Sequence, residues 1–86
     1  MNRVYILQCH EEMSIDRDTV EVFKTLREAA TAYNRSLKCT AEIFGDDGYK
    51  EYRIPKEKMT DGDINQEYEI TDGGVTHTIF LYSQEL

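Results

Sequence analysis

The chain has 86 residues, 40% of them hydrophobic and 31% charged, a composition typical of a globular domain and not of a disordered chain. We therefore treat residues 1–86 as a single domain. Its formal net charge of −7 disfavours direct binding to nucleic acid or to an anionic membrane, because their phosphates would repel it. The apolar runs are too short to span a bilayer, and the N-terminal residues lead straight into a strand pattern, so we expect a cytoplasmic protein.

The first half of the chain predicts two strands followed by a helix. Arg3–His10 carries apolar residues on both faces of an alternating pattern, as a central strand does, and a polar loop follows over Glu11–Asp18. Thr19–Lys24 is rich in residues that favour strands. Thr25 and Glu28 have the spacing of a capping box, which marks a helix start. The apolar residues of this helix recur at helical spacing and are Leu26, Ala29, Ala30, Tyr33 and Leu37.

The second half predicts four strands. Ala41–Phe44 and Tyr49–Ile54 have strand composition and are joined by a Gly/Asp turn. Gln66–Thr71 and Val75–Ser83 flank Asp72-Gly73-Gly74, a strong hairpin signal. The resulting order is β-β-α-β-β-β-β, which predicts an α+β fold with a single helix packed on an antiparallel sheet.

The acidic residues are concentrated at the C-terminal end. Residues 59–86 contain no Lys or Arg, whereas the ten basic residues of the chain all occur earlier. Along Gln66–Thr71, Tyr68 and Ile70 alternate with Glu67 and Glu69, so this strand should have one buried face and one acidic face. Carboxylates two residues apart on a strand lie roughly 6.5–7 Å apart and can imitate spaced phosphates. The candidate partner-binding carboxylates are Asp61, Asp63, Glu67, Glu69 and Asp72.

The last predicted strand has large apolar side chains on both of its faces. Phe80 and Tyr82 alternate with Ile79 and Leu81, so one pair should lie on the face that the helix does not cover. Phe80 and Tyr82 either pack under a loop or the chain end, or they form an interface, since aromatic residues are enriched in interface cores. A homodimer or a contact with another protein would satisfy the second alternative.

Metal binding and catalysis receive little support from the residue pattern. Asp61, Asp63, Asn65, Glu69 and Asp72 have the spacing of oxygen ligands in a calcium-binding loop, but Gln66 stands where that loop requires glycine. Because the ligand spacing matches, a small calcium-binding domain remains an alternative. The missing glycine favours a solvated acidic turn. Adjacent residues of a strand point to opposite faces, which argues against zinc ligation or a catalytic dyad at the neighbouring Cys9 and His10. We expect no metal ligand, no cofactor, no catalytic residue and no enzymatic activity.

Two short patterns in the N-terminal part resemble a known group of proteins. These are Val4-Tyr5-Ile6-Leu7, followed by an acidic loop, and then Val22-Phe23-x-Thr25-x-x-Glu28-Ala29-x-x-x-Tyr33. Over about the first 38 residues the chain resembles small acidic proteins encoded by bacteriophages, of the host-takeover or inhibitor type. The resemblance implies a protein that binds and inhibits a host protein in the host cytoplasm, and it implies no catalytic residue.

The favoured interpretation is a non-enzymatic protein-binding domain of this phage inhibitor type. It would present an acidic, DNA-mimicking surface to a basic nucleic-acid-binding host protein, using the carboxylates named above together with Phe80 and Tyr82. The alternative is an adaptor, or an inhibitor of a host enzyme or defence complex, that does not imitate DNA. That alternative would use the aromatic last strand or the basic outer face of the helix, which carries Arg27, Arg35 and Lys38.

Overall fold

The computed structural model describes residues 2–12 and 17–86. It has the predicted α+β fold, in which one main helix packs on a four-stranded antiparallel sheet. The strands are β1 (Arg3–Glu12), β2 (Arg17–Phe23), β3 (Asn65–Asp72) and β4 (Val75–Glu85), the helix is α1 (Leu26–Phe44), and two short 3₁₀-helices span Asp47–Tyr52 and Lys56–Lys58.

The strands of the sheet lie in the order β2-β1-β4-β3, and every neighbouring pair is antiparallel. β1 lies between two other strands, which confirms its prediction as a central strand. The hairpin between β3 and β4 closes through Gly73 and Gly74, whose φ angles are 59° and 81°. Two consecutive positive φ angles suit a two-residue turn whose twist matches that of the strands, and glycine adopts them without steric cost.

The helix begins at the predicted capping box. The Thr25 hydroxyl accepts from the Glu28 backbone N–H at 3.2 Å and donates to Glu28 Oε1 at 2.9 Å. The helix ends at Gly45, which has φ 68°, and the next residue, Asp46, donates its N–H to the Ala41 carbonyl at 2.9 Å. This left-handed glycine stops the helix and satisfies carbonyls of its last turn. In the described part of the chain, no helix is long and apolar enough to cross a membrane.

Two predicted strands are helical in the structure. Ala41–Phe44 continues α1, because buried Ala41 extends the apolar stripe one turn beyond Leu37 and the chain is first interrupted at Gly45. Most of Tyr49–Ile54 belongs to the first 3₁₀-helix, which starts where the Asp46 side chain accepts from the Gly48 N–H at 2.9 Å. In both segments tertiary packing and capping override the strand preference of the residues.

The two N-terminal strands are longer than predicted. The polar loop expected over Glu11–Asp18 overlaps them, because β1 runs to Glu12 and β2 starts at Arg17. The centre of that loop, residues 13–16, lies outside the described residues.

The hydrophobic core fills the space between α1 and one face of the sheet. Ala29 and Ala30 are fully buried and, being small, allow the helix to approach the strands closely. Large side chains from the strands and the helix fill the remaining volume. These are Tyr5 and Leu7 from β1, Tyr68 from β3, Ile79 and Leu81 from β4, and Leu26, Tyr33 and Leu37 from α1.

Hydrogen bonds attach the segment after the helix to the helix itself. The Tyr33 hydroxyl donates to the Tyr52 carbonyl at 3.1 Å. Asn34 donates to the Ile54 carbonyl and accepts from the Ile54 N–H, both at 2.9 Å. Because these partners are fixed points on α1, the backbone from Tyr52 to Ile54 has a defined position beside the helix.

Candidate functional site

The face of the sheet opposite α1 carries an apolar patch, which we define as Ile6, Val20, Val22, Phe80 and Tyr82. The cross-strand register and the alternation of side chains place these residues together on that face. None of them belongs to the core cluster or is among the partly buried residues packed against it. The helix therefore leaves this face open, and we call it the open face.

The patch residues lie in two rows across β2, β1 and β4, and in the second row the polar residue Gln8 stands between Val20 and Phe80. Val22, Ile6 and Tyr82 are register partners in the first row. Val20, Gln8 and Phe80 form the second. Val20 and Val22 are 58% and 61% exposed, which is unusual for two neighbouring apolar side chains of one strand. Contiguous exposed apolar residues of this kind are typical of an interaction surface.

Two of the predicted carboxylates border the patch. Glu67 is the register partner of Phe80, and Glu69 is the partner of Thr78, so both point to the open face. Both are exposed and lie on β3, an edge strand of the sheet. At the opposite edge, on β2, Asp18 is hydrogen-bonded to the ring of His10. The patch therefore has an acidic rim of two carboxylates without close cationic partners among the described residues.

The other predicted carboxylates do not join this surface. Asp61 Oδ1 accepts from the Leu26 backbone N–H at 2.9 Å, and Asp63 forms an ion pair with Arg3 at 3.1 Å. Asp72 ends β3 at the hairpin turn. The predicted row of five spaced carboxylates is thus reduced to Glu67 and Glu69. The reason is that two others make contacts with residues distant in sequence.

The loop that contains Asp61 and Asp63 connects the helix start to the sheet. Between them, the Gly62 N–H donates to the Tyr5 hydroxyl at 3.0 Å, and that hydroxyl donates to the Gly62 carbonyl at 3.2 Å. Asp61 satisfies a free N–H at the first turn of α1 and places a negative charge at the positive end of the helix dipole. These contacts indicate a structural role for the loop.

We expect Asp61→Ala to destabilise the fold by about 1 kcal/mol, because the Leu26 N–H loses its acceptor. Asp61→Asn keeps an acceptor oxygen and removes only the charge, so it should lose less. Urea unfolding followed by circular dichroism measures both. Equal stability of Asp61→Ala and wild type would show that this contact does not support the helix.

The described residues do not assemble a metal site. They contain no group of three or more His, Cys, Asp or Glu residues that could hold a metal ion. Cys9 and His10 point to opposite faces, as predicted from their adjacency in β1. Burial raises the pKa of the Cys9 thiol, which disfavours the nucleophilic thiolate, and Cys39 is an exposed free cysteine.

The contribution of β2 to the open face was not predicted from the sequence. Val20 and Val22 alternate with Thr19 and Glu21, which is a signal for a strand with one apolar face. This alternation does not reveal the order of the strands, which places β2 beside β1 with those valines on the side away from the helix.

No protein-family model, no curated protein and no solved structure matches the chain.

Proposed function

We propose that this chain is a non-enzymatic protein-binding domain of the phage inhibitor type that docks the open face of its sheet on a basic, nucleic-acid-binding host protein. The observation that supports the proposal is the apolar patch with Glu67 and Glu69 along one side. The domain would bind such a host protein in the host cytoplasm.

The apolar patch supplies the affinity in this proposal. Full burial of an exposed apolar side chain such as Val20 or Val22 contributes roughly 1.5–3 kcal/mol. Ile6, Phe80 and Tyr82 are already half-buried, so each would contribute a part of that. Phe80 and Tyr82 lie beside each other at the middle of the sheet, where aromatic side chains act as anchors of an interface. Val20 and Val22 extend the same surface to the β2 edge.

The acidic rim supplies the preference for a basic partner. Glu67 and Glu69 point to the same side two residues apart, which corresponds to roughly 6.5–7 Å along the strand. A surface that binds nucleic acid presents Lys and Arg at positions suited to successive phosphates. Charges at the rim of an interface mainly accelerate association and exclude partners of like charge.

A second candidate is an adaptor or inhibitor that uses the same open face without imitating DNA. It is favoured by the small number of carboxylates on that face, since Asp61 and Asp63 make intramolecular contacts instead. In that case apolar contact would dominate and the affinity would depend little on salt. A second copy of this chain is a third candidate partner for the open face, and the homodimer would bury the same residues.

The test is a pull-down of tagged protein from bacterial lysate, eluted with a salt series and identified by mass spectrometry. Wild type is compared with Glu67→Gln/Glu69→Gln. The matched control is Glu51→Gln/Glu57→Gln, which removes two exposed carboxylates from the 3₁₀ segments and leaves the sheet unchanged. Sedimentation of the isolated protein measures self-association.

We expect the wild type to capture a basic nucleic-acid-binding protein that moderate salt releases. Glu67→Gln/Glu69→Gln should fail to capture it, and the control variant should still capture it. A partner that stays bound at high salt and is indifferent to those two carboxylates would contradict the mimicry and favour the second candidate. A stable dimer that buries the open face would contradict both.

A further inference from the structure

A groove on the helix side of the sheet is lined by basic residues. It lies between α1 and the segment that follows it, and its volume is about 360 Å³. Among the described residues, its walls contain three cationic side chains, one aromatic ring and no carboxylate. The lining residues are Thr31, Asn34, Arg35, Lys38, Tyr49 and Arg53.

The cations are brought together by the fold. Arg35 and Lys38 are three residues apart on α1, a spacing that places their side chains on one face of the helix. Arg53 comes from the other wall, between Tyr52 and Ile54, whose backbone groups are hydrogen-bonded to Tyr33 and Asn34. The position of Arg53 beside the helix therefore depends on anchored backbone on both of its sides.

The neutral polar side chains of the groove, Thr31 and Asn34, already make hydrogen bonds within the protein. The Thr31 hydroxyl donates to the Arg27 carbonyl at 2.7 Å. The Asn34 amide makes two hydrogen bonds to Ile54. Among the described lining residues, the groups left to interact with a ligand are thus the three cations, the Tyr49 side chain and the second N–H of the Asn34 amide.

Among the described residues, no carboxylate forms an ion pair with Arg35, Lys38 or Arg53. Cations at helical neighbour positions repel one another, and here they cluster in a chain with a net charge of −7. The acidic rim of the open face lies on the far side of the sheet, where solvent ions screen it from the groove.

We propose that this groove is a binding site for a phosphate group of a small ligand. A guanidinium binds two phosphate oxygens at once, and a lysine adds a compact charge. The volume falls in the range of small-molecule sites, and Tyr49, which also packs against the core, lines the groove beside the cations. The proposal concerns a different face from the protein-binding surface and does not depend on it.

Calorimetric titration of the full chain tests the site, with inorganic pyrophosphate and adenosine diphosphate as separate probes. We expect binding of at least one probe by wild type and an affinity at least tenfold weaker in Arg35→Gln/Arg53→Gln. The control Lys56→Gln/Lys58→Gln removes two exposed cations outside the groove and should bind as wild type does. The groove variant should melt no lower than wild type in phosphate-free buffer, since it relieves like-charge repulsion.

The two probes separate the sources of the phosphate. Equal affinity for both would assign recognition to the phosphates alone. Tighter binding of adenosine diphosphate, with the preference lost in Tyr49→Leu, would add the ring to the site. The proposal is overturned if neither probe binds at millimolar concentration. It is also overturned if the groove variant keeps wild-type affinity, or if the control variant loses as much affinity as the groove variant.

Discussion

Replacing Phe80 by Ala is expected to weaken binding of the partner by about 30-fold or more, because truncating an aromatic anchor at the middle of an interface costs at least about 2 kcal/mol. Phe80 lies on the open face between Gln8 and Glu67 and outside the core cluster. The change should therefore affect binding far more than folding. Titration of the captured partner measures the affinity, and thermal unfolding of the variant measures its stability.

The matched control for this prediction is Ile43→Ala. Ile43 is also a large apolar residue, it is 80% exposed, and it lies near the end of α1, away from the sheet. Its removal should leave the affinity within about twofold of wild type. Wild-type affinity of Phe80→Ala, or an equal loss in both variants, would show that the apolar patch is not the contact surface.

Replacing Tyr33 by Ala is expected to destabilise the fold by roughly 3–5 kcal/mol, the usual cost of removing a large aromatic side chain from a core. Tyr33 is completely buried between α1 and the sheet, and its hydroxyl holds the Tyr52 carbonyl. Small domains have total stabilities of about 5–15 kcal/mol, so this variant should be close to unfolding at ambient temperature. Urea denaturation gives the difference directly, and a loss below 1 kcal/mol would contradict the packing described above.

Tyr33→Phe separates the ring from the hydroxyl. The Tyr52 carbonyl still accepts from Gln66 Nε2 at 3.1 Å, so the loss should be only about 1 kcal/mol. Burial raises the pKa of Tyr33 to about 12, above its ordinary value of 10.0. Tyr33 therefore ionises at lower pH in the unfolded chain than in the folded one. The stability that depends on its neutral form is fully present below pH 10 and is lost as the pH rises toward 12. Tyr33→Phe should show a shallower alkaline decline, and an unchanged slope would contradict the assignment.

Local features of the fold could be predicted because their causes are close together in sequence. The capping box needs only Thr25 and Glu28, and the hairpin turn needs only the two glycines at 73 and 74. The segments at 41–44 and 49–54 were predicted wrongly as strands. Their residues favour strands locally, whereas Ala41 is buried as part of the apolar stripe of α1 and the second segment is anchored by Tyr33 and Asn34.

The same distinction between local and long-range contacts applies to the candidate site. Alternation along the chain was sufficient to place Glu67 and Glu69 on one face of β3, and to give the last strand apolar groups on both faces. It could not show that Asp61 and Asp63 are engaged elsewhere, because Leu26 and Arg3 are distant in sequence.

By itself, the sequence determined the class of fold, the central position of β1 and the acidic face of the third strand, since each follows from the spacing of neighbouring residues. Only the tertiary structure decided which surfaces exist. The strand order joined Val20 and Val22 to Phe80 and Tyr82 as one open face. The anchoring of residues 52–54 on the helix put Arg53 beside Arg35 and Lys38. Both surfaces depend on long-range pairing, whose energy comes from contacts that no local pattern encodes.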